Sequence, residues 1–319
     1  MWYWRAAFFL AILVLVIPVS AQIQTPRVAV EHFEHGNKKL KQGDLNGAVE
    51  DFSRAIELSS RLDVNRSGQS NLRSGFAGSA ADASTGVTVI DPFTAEAYTS
   101  RGVARFRLGD IDGAILDWDR AIEINPRLAE AHLDRGSARY AAGNTAGALS
   151  DLDRALAINP RLADAYSNRG AIRQELGDTT KALADLDKAI ELDAHNAAAY
   201  SHRGFVWLAR HDWQRAISDF DKAIELQPGL AWAYQGRGIA RVDRRDLDAA
   251  IVDFTRALEL NPEMAQAYLN RGLVLLIQGK GEDAKQDFAR VLALKPGMKE
   301  EMERRIKMAE ELRATKMGK

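Results

Sequence analysis

A pattern of 34 residues repeats without a gap from Ala95 to Met298, and it restricts the chain more than any bulk property does. The unit beginning at Ala95 reads AEAYTSRGVARFRLGDIDGAILDWDRAIEINPRL, and the pattern restarts at Ala129, Ala163, Ala197, Ala231 and Ala265. Position 8 is glycine in all six units: Gly102, Gly136, Gly170, Gly204, Gly238 and Gly272. Position 20 is always alanine, from Ala114 to Ala284, and position 32 is proline except at Ala194. A period of this length marks a supersecondary unit that buries its apolar face against copies of itself, so the expected architecture is an array.

Within each unit, positions 1–14 and 17–30 carry apolar residues three and four apart, with a Gly-Asp type break between them and Asn-Pro or a variant at the close. That is the pattern of two helices and a tight turn. A glycine inside a helix costs about 1 kcal/mol relative to alanine. Its presence in every unit therefore predicts a close approach of the two helices, assisted by the small residues at positions 20 and 27 (Val291 excepted).

Tyr98, Gly102, Ala114, Trp118, Ala121 and Pro126 occupy the defining columns of the first complete unit, and Leu152, Leu186, Phe220, Phe254 and Phe288 replace Trp118 in the later ones. On these residues the chain resembles the tetratricopeptide repeat family, in the form of a bacterial-type secreted protein. The resemblance covers 95–298 in full and 29–62 more weakly, through Gly36, Ala48, Phe52 and Ala55. It implies an all-α fold: a right-handed superhelical solenoid of antiparallel helix hairpins. Segment 299–319, with Met302, Ile306, Ala309 and Leu312 on one face, is expected to be a solvating helix that caps the last apolar surface. His211 and Arg245 stand where other units have a turn glycine, and Ser60 where a proline is expected, which puts the local turn geometry in question.

The flanks differ from the array. Residues 1–21 have one basic residue, Arg5, an apolar run from Ala6 to Val19, and Val19-Ser20-Ala21 before Gln22, the layout of a secretory signal peptide cleaved after Ala21. A secreted or periplasmic location follows. The alternative is an uncleaved membrane anchor lengthened by Trp2, Tyr3 and Trp4. Residues 63–94 are rich in Ser, Gly, Ala and Asn and read as a flexible inserted loop, with a binding loop as the alternative.

Charge and composition exclude several chemistries. With 43 Lys and Arg against 44 Asp and Glu, the chain offers nucleic acid no broad attraction. It has no cysteine, which removes disulfides, thiolate metal sites and thiol nucleophiles. No phosphate-cradling loop or nucleophile elbow occurs. His32 and His35 lie three apart on one helix, too few ligands for a metal site. No cofactor and no catalysis are expected. An enzyme or metal protein hidden in the early unit and its loop remains the third reading.

Position 7 is arginine and position 23 aspartate in all six units, Arg169 and Asp185 among them; position 11 adds Arg105, Arg139, Arg173 and Arg241. Two arginines one helical turn apart repel unless an acid faces both, so the aspartate is expected to sit opposite the pair. A nucleic-acid-reading set of arginines is the alternative. Function is expected in the columns that vary. The family implies partner contacts at positions 2, 5, 6, 9, 12 and 13, in a groove formed by the first helices. These positions hold Glu96, Glu130, Asp134, Asp164 and Glu175 in the early units, then His202, Phe205, Trp232 and Asn270. Leu208, Ile239 and Val242 extend the apolar half, with Phe205, Leu208 and Ile239 equally readable as core. The surface suits a protein segment with basic residues at one end and apolar anchors at the other. A non-catalytic scaffold or adaptor is the reading, with a membrane-tethered component of envelope or secretion machinery as the alternative.

Overall fold

The computed structural model of the protein describes residues 27–73 and 92–317. Residues 1–21, expected from the sequence to be a signal peptide, lie outside the described residues. Among those described, every regular element is helical. Two compact units are present, Met1–Asp151 and Leu152–Lys319, and the division falls inside one helix.

The first unit contains α1 (Arg27–Gln42), α2 (Leu45–Arg73), α3 (Pro92–Arg107), α4 (Ile111–Ile124) and α5 (Ala129–Ala141), and the start of α6 (Thr145–Ile158). The second contains the rest of α6, then α7 (Ala163–Glu175), α8 (Thr179–Leu192), α9 (Ala197–Ala209), α10 (Trp213–Leu226), α11 (Ala231–Asp243) and α12 (Leu247–Leu260). It ends with α13 (Ala265–Ile277), α14 (Gly281–Leu294), a 3-10 turn (Pro296–Met298) and α15 (Lys299–Met317). Hairpin mates pack together within each unit, α1 on α2 and α3 on α4 in the first, α7 on α8, α9 on α10, α11 on α12 and α13 on α14 in the second, and successive hairpins of a unit pack in turn.

The glycine at position 8 is explained by the side chain at position 24. A Cβ on Gly102 would stand 2.8 Å from the Trp118 ring, and one on Gly204 would stand 2.8 Å from Phe220. The large residue of the second helix therefore lies directly on the backbone of the first. Trp118, Phe52, Phe220 and Phe254 are among the largest fully buried side chains. Phe220 also reaches the next hairpin, packing with Ala233 and Ala240. There a Cβ on Gly236 would come within 2.3 Å of it.

The turns obey one geometry. Gly43, Gly109, Gly143, Gly177 and Gly279 adopt φ between 81° and 85°. His211 and Arg245 adopt φ of 59° and 64° at the equivalent places. Their departure from glycine thus leaves the turn intact and loads it with left-handed strain. Asp110, Asp178 and Asp212 then cap the second helices, each accepting a hydrogen bond from a backbone N–H three residues on. At the far end Asn125, Asn159 and Asn261 accept from the N–H two residues on; Asp193 does the same before Ala194, so that unit closes without its proline.

One boundary differs from expectation. Helix α2 continues to Arg73 and α3 begins at Pro92, so both ends of the 63–94 stretch are helical. A helix already nucleated by α2's packed first half adds each Ser, Asn or Gly at a cost of about 1 kcal/mol or less, which a composition-based reading takes for a break. Residues 74–91 lie outside the described residues.

The C-terminal helix α15 caps the last hairpin. Met302, Ile306 and Ala309 join Leu269, Leu273 and Leu276 in a common core.

Candidate functional site

The conserved-looking charges of the repeat are spent inside it. Arg101 donates two parallel hydrogen bonds to Asp117, Nε to Oδ2 at 2.9 Å and Nη2 to Oδ1 at 2.7 Å. Arg105 adds a third contact at 2.9 Å. The same fork joins Arg135 to Asp151, Arg169 to Asp185, Arg203 to Asp219, Arg237 to Asp253 and Arg271 to Asp287. Arg139, Arg173 and Arg241 close on the same carboxylates at 2.8, 2.6 and 2.8 Å. The expected pairing of one aspartate with two arginines is therefore present.

A second link was not anticipated. The free edge of each guanidinium reaches back to position 25 of the preceding unit: Arg135 to Asp119 at 2.7 Å, Arg169 to Asp153 at 2.6 Å, Arg203 to Asp187 at 2.7 Å and Arg237 to Asp221 at 2.6 Å. Ser53 and Thr255 offer hydroxyls to Arg101 and Arg271 instead. Each arginine thus ties its own hairpin to the one before it. Except for Arg135, which has His132 there, each also lies against a tyrosine one turn earlier, Arg169 at 5.4 Å from the Tyr166 ring centre and Arg203 at 5.5 Å from that of Tyr200.

The hydrogen bonds it donates to Asp219 hold the Arg203 guanidinium above the ordinary arginine value. Burial pushes the Asp151 carboxyl up, but the nearby His132 ring and the hydrogen bonds and charges of Arg135 and Arg139 outweigh it and the net shift is downward. Donors used on three sides cannot also read phosphates, which removes the arginine columns as a nucleic-acid surface.

The early unit builds the same rung from weaker bases. His35 and Lys39 occupy positions 7 and 11, and they approach Asp51 at 2.8 and 2.9 Å. His32 adds a contact at 3.1 Å. The histidine pair is thus engaged by a structural carboxylate. Among the described residues no group of three metal-ligating side chains is arranged to hold an ion.

The varying columns behave differently in the two units. In the first, Glu96 and Glu130 are exposed and Asp134 is half-buried. In the second, Asp164 and Glu175 are exposed, and Asp164 accepts a hydrogen bond from Asn196 at 2.9 Å. His202 is half-buried against the Ser167 hydroxyl at 3.2 Å, and burial pushes its pKa below the ordinary histidine value. Trp232 is 54% exposed, the open aromatic that its place at position 2 predicts.

Two candidates serve packing instead. Phe205 lies edge-on to Phe220 at 5.1 Å and, like Leu208, packs against the hairpin core; a helical spacing alone does not separate that role from a groove role. Asn270 is buried, accepting hydrogen bonds from Gln266 at 3.3 Å and from Arg305 of α15 at 3.1 Å. It is a contact point, but for the chain's own C-terminal helix.

Models of the tetratricopeptide repeat match residues 163–196, 197–230 and 236–299, and a TPR repeat model matches 102–143 and 136–177. The chain belongs to the tetratricopeptide repeat family. Among solved structures, a tetratricopeptide repeat protein from Parabacteroides merdae is similar at 21% identity, with 88% of this chain and 98% of that one aligned and a TM-score of 0.59. A chain of the APC/C hetero-tetramer Cut9–Hcn1 aligns with 67% of this chain at 20% identity and a TM-score of 0.64, and this chain spans 42% of its length. PilW, a type IV pilus biogenesis factor, is 19% identical over 64% of this chain and 94% of its own, with a TM-score of 0.56. These likenesses concern the fold. No curated protein matches the sequence.

Proposed function

We propose that the protein is a non-catalytic scaffold that binds a segment of another protein along its first helices, and that it works after export from the cytoplasm. One observation carries the reading: the columns that repeat are consumed by packing and ion pairs, whereas part of the varying columns, Glu96, Glu130, Asp164, Glu175 and Trp232, keeps its side chains in solvent. Trp232, 54% exposed on α11, is the clearest case. Large aromatic residues left in water are frequent binding hot spots. Glu130 in the first unit and Asp164 and Glu175 in the second supply acids for a basic partner. Membership of a family whose repeats generally bind proteins or peptides supports the same view. Export rests on the Val19-Ser20-Ala21 junction, and Gln22 as the first residue of the purified protein would agree with it.

The test is affinity capture from the native compartment with matched variants. Trp232→Ala, and Glu130→Lys with Asp134→Lys, should each lose captured partner at unchanged helicity. Val252→Ser, at a 66% exposed site on the second helix α12, should capture as well as the parent. Equal capture by all three variants would refute the assignment.

A further inference from the structure

We propose that the apolar seat beneath α15 is an exchangeable helix-binding groove, occupied by the chain's own C-terminal helix until an amphipathic helix of a basic partner takes its place. The proposal rests on the reading that first-helix columns bind partners, and it adds how part of that surface is regulated.

The position of α15 is the first argument. Within the second unit the regular first helices α9, α11 and α13 each pack on both helices of the hairpin before them. By contrast α15 packs along α13, the first helix of the last hairpin. It lies over Asn270, Leu273 and Ile277, which are positions 6, 9 and 13 of the last unit. It also faces Ile239, Val242 and Asp243, positions 9, 12 and 13 of the unit before. These are the columns in which the family resemblance places partner contacts, so α15 occupies the place of a bound helix.

The second argument is the quality of the fit. A cavity of about 260 Å³ remains between α15 and α11–α13. Met308 and Leu312, on its α15 side, are 57% and 59% exposed. The pocket is therefore an open cleft along the edge of α15, with apolar wall left in solvent on both sides. One face of α15 is seated through Met302, Ile306 and Ala309, while Met308 and Leu312 beside it leave room for larger anchors.

Charge is the third argument. Arg305 is half-buried in the cavity wall, and its acceptors are the neutral Asn270 amide oxygen at 3.1 Å and Glu301 on its own helix at 3.7 Å. Burial pushes its pKa below the usual arginine value, whereas Arg271 nearby has a carboxylate fork and is pushed the other way. Asp243 lines the same cavity; among the described residues no cation forms an ion pair with its carboxylate, and His211 is the charge that acts on it. The resident helix thus brings its charge to an amide and leaves the acid unmatched. A helix with apolar residues spaced like Met302, Ile306 and Ala309, larger side chains at the Met308 and Leu312 places and a base aimed at Asp243 would complement this wall better.

The absence of cysteine makes the test direct. In the full chain, Ala309→Cys places a thiol on the buried face of α15, at a site 3% exposed, and Ala284→Cys places a control thiol in the hairpin core. Alkylation rates are measured with and without a synthetic peptide of residues 299–317. A tethered helix acts at an effective concentration of the order of millimolar, so the peptide is titrated to that range. The expected result is alkylation at position 309 at least about tenfold faster than at 284, and faster again with peptide, as local opening requires. Equal rates at both sites, or a rate at 309 indifferent to peptide, would overturn the proposal. Hydrogen exchange of the α15 amides in the unmodified chain gives the same readout without substitution: protection lost on adding peptide supports exchange, and unchanged protection refutes it. If α15 stays in place while Trp232→Ala still abolishes capture, this proposal fails and the scaffold reading stands.

Discussion

Asp185→Asn probes the charge ladder with almost no change of shape. Asp185 is 4% exposed and accepts from Arg169 at 2.7 and 2.9 Å and from Arg173 at 2.6 Å. Asparagine keeps one acceptor and turns the other toward the guanidinium as a donor, so the two arginines lose both a fork and their shared counter-charge. Removing one partner of a buried pair costs about 3–5 kcal/mol. Here Arg169 keeps Asp153 at 2.6 Å, and the arginine side chains are 15% and 22% exposed, so a loss of about 2–3 kcal/mol is expected. At about 2–4 °C per kcal/mol for a unit of this size, the melting temperature should fall by roughly 4–12 °C. Thermal unfolding followed by circular dichroism reads it directly. The double variant Asp185→Leu with Arg169→Met should recover part of the loss. A change under about 0.5 kcal/mol, with polyanion binding lost in Arg169→Ala, would refute the structural role and revive the nucleic-acid reading.

Further outcomes follow from single positions. His211→Gly and Arg245→Gly should each stabilise the chain by up to about 1 kcal/mol in urea unfolding, since left-handed strain of about 1–2 kcal/mol exceeds the entropy cost of glycine. Gly236→Ala should destabilise it by about 1–3 kcal/mol, because the added carbon meets Phe220 at 2.3 Å; a neutral result would deny the contact between hairpins. His202 titrates below its ordinary value in the folded chain, so the unfolded chain takes up the proton first as pH falls. Stability should therefore be whole above about pH 6.5 and decline below it, and the parent should lose more than His202→Gln between pH 7.5 and 5.5.

The hairpins, their caps and the two-arginine rung are legible in the sequence because each depends on spacing within one unit. Position 24 could be read as the residue lying on the glycine only once the hairpin closed. The bridge from Arg169 to Asp153 depends on the angle between successive hairpins, which no spacing encodes. A signal existed, since position 25 is aspartate at Asp119, Asp153, Asp187 and Asp221. Phe205 and Trp232 share a helical apolar pattern yet end in opposite settings, one on Phe220 and one in water, because burial depends on what the neighbouring hairpin brings. The seat of α15 was hidden for a related reason: Met302, Ile306 and Ala309 announce an apolar stripe, but its choice of α13 is a tertiary matter.

The central claim is that partners meet the varying first-helix columns, and photo-cross-linking addresses it most directly. A photoreactive residue is placed in turn at Trp232 and Glu130, and at Leu116 and Val252, which are 64% and 66% exposed on the second helices α4 and α12. The account predicts cross-links to one partner from 232 and 130 and none from 116 or 252. Cross-links confined to 116 and 252 would contradict it.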